Sequence, residues 1–333
     1  MASRHLFTGR LVGAISGTLV SGVGLGLYCR YMTNAAHAES GEKKAFGQGP
    51  AFLSLRLESS EAVNHNTKRL RFELPEPDVI SGLGLTSALL TFSWPKGCML
   101  PVIRPYTPIS TLDEPGILEF LVKRYPNGKQ STHLHSLQPG ESLRFVVPIP
   151  GYKWHANKHA EITLIAGGAG ITPAYQLIKG ILQNPADHTK ITLVFGVNTD
   201  ADLLLKKEFD EYEARFPGRF KAVYTVSHPA QGSAFRKGYV TKELLKEVAM
   251  SSVPVTDDAK VFVCGPPPME EALVAYYVGS QISSRRETSL MQGDAAAHRK
   301  EILENAYGDR SSLKNLEAAM QAYTSTSIKK PPL

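Results

Sequence analysis

Glu161-Ile-Thr-Leu-Ile-Ala-Gly-Gly-Ala-Gly-Ile-Thr-Pro173 is the stretch on which the reading of this chain turns. Its first six residues are an apolar run rich in β-branched side chains, which predicts a buried strand over 161–166. The glycines that follow end the strand and let backbone approach a ligand closely. Thr172 can cap a helix and Pro173 suits a first helical turn, so Pro173 to Leu182 reads as a helix. The loop lacks the third glycine of G-x-G-x-x-G and is not the ordinary dinucleotide fingerprint. A strand, a glycine loop and a helix in that order still point to a bound nucleotide.

The same rhythm continues downstream. Strands are expected at Ile191–Phe195, Phe220–Val226 and Lys260–Cys264, and helices at Leu203–Ala214 and Thr241–Val248. Alternation of this kind means an open parallel sheet with crossover helices, here over residues 156–280. Upstream, residues 46–155 hold only short alternating runs separated by Pro, Gly and Asn clusters. Phe52–Leu57, Thr67–Leu74, Ala88–Phe92, Pro101–Tyr106, Leu118–Lys123 and Ser142–Val147 predict a small antiparallel barrel. The expected fold class is therefore all-β plus α/β, with a crevice between two lobes where a large cofactor can lie.

The first 45 residues differ from the rest. Arg4, His5 and Arg10 come early, and no acid appears before Glu39, a composition that resembles a mitochondrial transit segment. Leu11 to Cys29 carries no charge, and as a helix it would be roughly 28 Å long, close to the hydrocarbon thickness of a bilayer. We read it as a transmembrane anchor, with secretory routing as the rival because Ala36-His-Ala38 resembles a signal cleavage site. Residues 35–50 read as a linker, and residues 281–333 as a tail with helix-like stretches at His298–Tyr307 and Ser311–Tyr323.

Composition narrows the function. The 333 residues are 42% hydrophobic and 20% charged, as in an ordinary globular protein. A net charge of +6, spread along the chain and without a motif, does not indicate nucleic-acid binding; it suits an acidic protein partner. The three cysteines, Cys29, Cys98 and Cys264, show no metal-ligand spacing, so no metal site and no iron–sulfur cluster is expected. His133 and His135 read as structural, and His155 and His159 as surface residues.

Several segments carry chemistry. In Arg104-Pro-Tyr-Thr-Pro-Ile-Ser110, Arg104 can hold a pyrophosphate through its planar fork, Tyr106 offers a face for stacking, and Thr107 supplies a hydroxyl. Pro105 and Pro108 keep the segment extended. After Lys123 and Tyr125, the turn at Gly128 leads through Gln130 to Ser131 and Thr132, a helix start whose free N–H groups suit a phosphate. Asp202, just after the second strand of the α/β lobe, can accept from a ribose hydroxyl and repel a 2′-phosphate; it also suits a helix N-terminus. Cys264-Gly-Pro266 makes a tight exit from a strand, with Cys264 as a small polarisable residue beside a ligand ring or simply as a buried one.

These motifs stand in one fixed order: Arg-Pro-Tyr-Thr-Pro-Ile-Ser, Gly-x-x-Ser, Gly-Gly-x-Gly-Ile-Thr-Pro and Cys-Gly-Pro-Pro. The set resembles the ferredoxin–NADP reductase-like superfamily and, within it, the NADH–cytochrome b5 reductase family in its fungal mitochondrial form. The likeness spans roughly Ala51 to Ala275. Ala169 departs from the usual threonine, and past about Tyr276 the helical tail replaces the aromatic strand that ends relatives. The resemblance implies an FAD-binding barrel, an NADH-binding α/β lobe, and electron delivery to cytochrome b5 or a similar acidic haem protein. It implies that Arg104, Pro105, Tyr106, Thr107, Tyr125, Gly128, Gln130, Ser131 and Thr172 contact FAD. Gly168, Gly170, Asp202, Cys264, Gly265 and Pro266 would line the NADH site, and Lys123 would touch either cofactor. Thr107 and Cys264 are the residues it assigns to catalysis. It also implies an outer-membrane form and, after cleavage near Ala38, an intermembrane-space form. The alternatives are a diaphorase of the same fold with another acceptor, and a tethered flavoprotein scaffold with little turnover.

Overall fold

In the first lobe, alternating side chains make strands that bury one face. They are β1 (Leu53–Ala62), β2 (Thr67–Glu73), β3 (Ala88–Ser93), β4 (Val102–Tyr106), β5 (Ile117–Lys123) and β6 (Ser142–Ile149). The computed structural model describes residues 42–47, 52–252, 259–270, 272–273 and 288–290. The six strands form one antiparallel sheet in the order β4-β3-β6-β1-β2-β5. Leu57, Leu70, Phe72, Leu118 and Phe145 fill its concave side, where Phe120 and Phe145 stack with ring centroids 5.6 Å apart.

The expected barrel is open. The sheet ends at β4 and β5, and helix α1 (Lys129–Ser136) lies against both. Pro105 lies in an edge strand, where a residue without an N–H does least harm to the ladder.

The second lobe is a six-stranded parallel sheet in the order β10-β9-β8-β7-β11-β12. Its strands are β7 (Glu161–Gly167), β8 (Lys190–Val197), β9 (Phe220–Val226), β10 (Arg236–Lys237), β11 (Ala259–Cys264) and β12 (Thr288–Leu290). Helices α2 (Ile171–Gln183), α3 (Lys206–Arg215) and α4 (Lys242–Ser252) make the crossovers. Ile171, Leu177, Ile178 and Ile181 of α2 bury the apolar face that its periodicity predicts. The strand at 288–290 extends this sheet beyond the expected boundary at 280.

Two helices start elsewhere than the sequence suggests. Gly170 occupies the cap of α2, so Thr172 sits inside the first turn and its hydroxyl donates to the Ala169 carbonyl, 3.2 Å away. Helix α3 begins at Lys206 because Thr199 and Asp202 close a reciprocal capping box around a 3-10 turn at Asp200–Asp202. Among the described residues no helix is long and apolar enough to cross a membrane. The anchor expected over 11–29 and most of the tail expected over 281–333 lie outside the described residues.

Candidate functional site at the meeting of two lobes

The parallel sheet grows outward in both directions from β7, with β8 on one side and β11 on the other. The crevice at such a switch point, at the carboxyl ends of the strands, is where ligands bind in open α/β sheets. Here the loops after β7 and β11 touch. A Cβ on Gly170 would stand 2.1 Å from the Cys264 carbonyl oxygen, and one on Gly167 would stand 2.7 Å from the Pro266 ring. A Cβ on Gly265 would meet Met269 at 2.2 Å. Gly168 is different, with φ +53° and nothing within 4 Å of its Cβ position. Of the glycines the sequence assigns to nucleotide contact, Gly168 faces open space, and Gly170 and Gly265 are packing glycines.

The other wall comes from β4 and the segment after it. Arg104 shares the inner face of the strand with Val102 and Tyr106 by strand alternation, and it is exposed. Its Nη1 donates to the Ile103 carbonyl at 2.8 Å. Pro105 points to the opposite face, away from Arg104 and Tyr106. Burial pushes the Tyr106 hydroxyl pKa up, so the ring is a neutral apolar surface. Thr107 is buried, and its Oγ1 has no hydrogen-bond partner. A buried hydroxyl left alone is costly, and it fits a polar group of a cofactor in the cleft.

Helix α1 supplies a further element. Gly128 is its N-cap, and no side chain caps it. Ser131 accepts from the Tyr125 N–H at 3.2 Å and donates to the Gly128 carbonyl at 3.1 Å, so its hydroxyl braces the turn. The uncapped N–H groups, rather than that hydroxyl, are the anion-binding element. Gln130 is buried and fixed to β3: its Nε2 donates to Thr91 Oγ1 at 2.8 Å, and its Oε1 accepts from Ser93. Thr91 and Ser93 were not singled out in the sequence, although hydroxyls on the inward face of an apolar strand are a signal of such a clamp.

The two walls meet along α2. Thr172 and Gln176 are four residues apart and share a helix face. Gln176 Nε2 donates to the Pro108 carbonyl at 3.1 Å, and Lys179 Nζ donates to that of Ile109 at 3.3 Å. Tyr125, half exposed, has its pKa raised by partial burial and by Cys264 nearby, so it lies within electrostatic reach of the second lobe. Burial, with the Glu270 charge adding, pushes the Cys264 thiol up to about 12. Cys264 therefore stays a neutral thiol at physiological pH and does not serve as a nucleophile. Cys264→Ser is expected to leave the fold and its melting temperature nearly unchanged, and the parent protein to resist iodoacetamide at this position. Peptide mapping after alkylation checks this.

Asp202 stands just after β8, where it is engaged by protein donors. It is 5% exposed, and both its oxygens serve protein donors. Oδ1 accepts from Lys123 Nζ at 2.9 Å and Asn66 Nδ2 at 3.1 Å, and Oδ2 from Thr199 Oγ1 at 2.8 Å and Thr199 N at 3.2 Å. Burial alone would raise its pKa; the hydrogen bonds from Lys123, Thr199 and Asn66 and the Lys123 charge outweigh that and hold the carboxyl at about 2. Asp202 thus joins the two lobes through an ion pair with Lys123 and also closes the capping box before α3, the helix-terminus role that the sequence offers beside ribose binding. Lys123 likewise faces Asp202 rather than open cleft. Asn66, in the β1–β2 turn, is the partner the sequence reading missed. His159, read as a surface residue, is half-buried and bonds the Tyr152 hydroxyl at 2.8 Å.

Comparison with known proteins agrees with this architecture. Residues 54–154 match the oxidoreductase FAD-binding domain family, and residues 164–275 match the oxidoreductase NAD-binding domain family. The NADH-cytochrome b5 reductase 2 of Pyricularia oryzae is 46% identical over 297 residues, covering 87% of this chain and 86% of that protein. That of Emericella nidulans is 50% identical over 257 residues, covering 76% and 79%. Among solved structures, the cytochrome b5 reductase domain of Ulva prolifera nitrate reductase superposes with a TM-score of 0.63 at 26% identity, covering 72% of this chain and 97% of that one. An open antiparallel lobe, a parallel lobe with crossover helices, and a segment after β4 clasped by α2 are thus found in a chain that belongs to the NADH-cytochrome b5 reductase family.

Proposed function

We propose that this chain passes electrons from NADH, through bound FAD, to cytochrome b5 or a similar acidic haem protein. FAD supplies the capacity to take two electrons at once and release them singly. The chain's own residues bind, orient and shield. Arg104 and the uncapped first turn of α1 would hold its pyrophosphate, and the Tyr106 face would stack on its flat ring system. Gly168 leaves room for the dinucleotide at the switch point, where Cys264 presents an uncharged, polarisable wall. No general base is required of the protein, because the transferred hydride carries its own electron pair.

The observation that carries this reading is Thr107. Its hydroxyl is buried without a partner at the point where β4 gives way to the segment held by α2. Thr107→Val keeps the shape and removes the hydroxyl. We expect the apoprotein to be as stable as the parent or slightly more so, since an unpaired polar atom is gone. We expect FAD to remain bound and kcat for NADH oxidation to fall about 100-fold, the low end of the range for losing one preorganised hydrogen bond at the reacting atoms. Stopped-flow reduction of the holoprotein by NADH measures this, and an unchanged rate would remove Thr107 from the mechanism.

The N-terminal composition supports a mitochondrial outer-membrane tether over 11–29, with cleavage near Ala38 giving an intermembrane-space form. Carbonate extraction and protease protection of the full chain in isolated mitochondria test it. Full release by carbonate of protein that still carries residues 11–29 contradicts the tether.

A further inference from the structure

Thr107 sits between two fixed points of the first lobe. Tyr106, just before it, is the last residue of β4 paired to β3, opposite Leu89. The chain is caught again at Ile109, whose N–H donates to the Glu119 carbonyl of β5 at 2.8 Å, and at Ser110, whose Oγ accepts from the Glu119 N–H at 3.2 Å. Between these points the Pro108 carbonyl accepts from Gln176 Nε2 of α2 at 3.1 Å. Proline fixes φ at 108 and confines Thr107 to extended backbone. Few torsions therefore separate the Gln176 bond from the Thr107 hydroxyl, so a shift of the Pro108 carbonyl is passed on to that hydroxyl.

Gln176 is a costly residue at this place. It is 2% exposed, and its Oε1, like the Thr107 hydroxyl, is buried without a protein partner. A buried amide satisfied on one side only is less stable than an apolar side chain of the same shape. Docking of the lobes does not depend on it alone. Leu85 of the first lobe packs at Gly180, one turn further along the same face of α2, where a Cβ would stand 2.3 Å from Leu85 Cδ2.

The start of α2 is tied to the nucleotide side. Gly170 is its N-cap, wedged so closely against the loop after β11 that a Cβ would stand 2.1 Å from the Cys264 carbonyl oxygen. One helix thus runs from the switch-point crevice to the Pro108 carbonyl, with Gly170 and Gln176 roughly 9 Å apart along its axis.

We propose that Gln176 is a positioning residue for flavin reduction, holding the Thr107 hydroxyl in register with the nucleotide crevice of the other lobe. Hydride transfer needs reacting atoms about 3–3.5 Å apart and aligned, and the two cofactors are held by different lobes. The bond from Gln176 to Pro108 joins the helix that opens at the crevice to the segment that presents the hydroxyl. The inference rests on the proposed passage of electrons from NADH to FAD and on the part given there to Thr107.

The test is a double-mutant cycle on the FAD-loaded full chain. It is read by stopped-flow reduction with NADH and by the visible flavin spectrum recorded before NADH is added. Gln176→Met keeps the volume and removes the donor. We expect it to slow flavin reduction about tenfold, less than the roughly 100-fold that a misplacement of about 1 Å can cost, with the half-saturating NADH concentration unchanged. The flavin bands should move as they do in Thr107→Val, because the same hydroxyl is affected. In the Thr107→Val background Gln176→Met should add nothing further, since residues that act through one another are not additive. Should Gln176→Met fail to fold, Gln176→Asn, one carbon too short to reach the carbonyl, takes its place with the same expectations. Losses that add, or a Gln176 variant that reduces at the parent rate, overturn the positioning role and leave Thr107 its own. Thr107→Val that reduces at the parent rate overturns both, and a parent flavin that NADH does not reduce overturns the proposed function with them.

Discussion

Asp202→Ala lowers the melting temperature of the FAD-loaded protein by about 10 °C. Removing one partner of a buried ion pair costs about 3–5 kcal/mol, because the other charge is left desolvated. For a body of this size each kcal/mol moves the midpoint by about 2–4 °C. Lys123→Met is expected to do nearly as much. The double replacement Lys123→Met with Asp202→Leu is expected to recover most of the loss, since an apolar pair of similar volume replaces the bridge at little net cost. Acid titration adds an independent reading. The folded carboxyl is held at about 2 against an ordinary 3.8. Its contribution of about 2 kcal/mol is complete above pH ~4 and is lost as pH falls through the folded value. Asp202→Asn should therefore flatten the stability profile in that window. A ribose acceptor behaves differently: its loss would raise KM for NADH and favour NADPH, with the melting temperature unmoved.

Gly170→Ala is the second large effect. The new methyl would stand 2.1 Å from the Cys264 carbonyl oxygen and 2.5 Å from its carbon. Both neighbours are backbone, so no flexible side chain can yield. The loops after β7 and β11 must separate, at a cost of about 1–3 kcal/mol in stability and with the switch-point crevice distorted. We expect kcat/KM for NADH to fall about 100-fold, equivalent to about 3 kcal/mol of transition-state binding, with FAD content retained because α1 and β4 are untouched. Gly168→Ala separates clash from conformation. Its Cβ meets nothing, and only the φ of +53° resists it, at roughly 1 kcal/mol. Its effect should fall mainly on KM.

Most of the fold was legible because its signals are local. Period-two alternation located the strands of the first lobe to within a few residues, and the span of β9 was read without error. The glycine-to-proline run of Gly167–Pro173 placed the loop that ends β7. The residues whose surroundings could not be read are those whose partners are remote in sequence. Asp202 follows a strand of the parallel sheet, where an acid ordinarily meets a ribose, and nothing near it announces Lys123 or Asn66. One hint was available: Lys123 closes the apolar strand Ile117–Lys123, and a lysine so placed needs a buried or bridging partner. The openness of the first sheet was likewise hidden, since closure depends on whether β4 and β5 meet. Gln176 was passed over as an ordinary helical residue, although a glutamine on the face that begins with Thr172 is where a clasp on Pro108 would lie.

The most direct test mixes the full FAD-loaded protein anaerobically with one equivalent of NADH, then with ferric cytochrome b5, in a stopped-flow spectrometer. The account predicts rapid loss of the oxidised flavin absorbance, followed by reduction of two haems for each NADH consumed. Flavin that stays oxidised in the presence of NADH, or that bleaches but leaves the haem ferric, would contradict it.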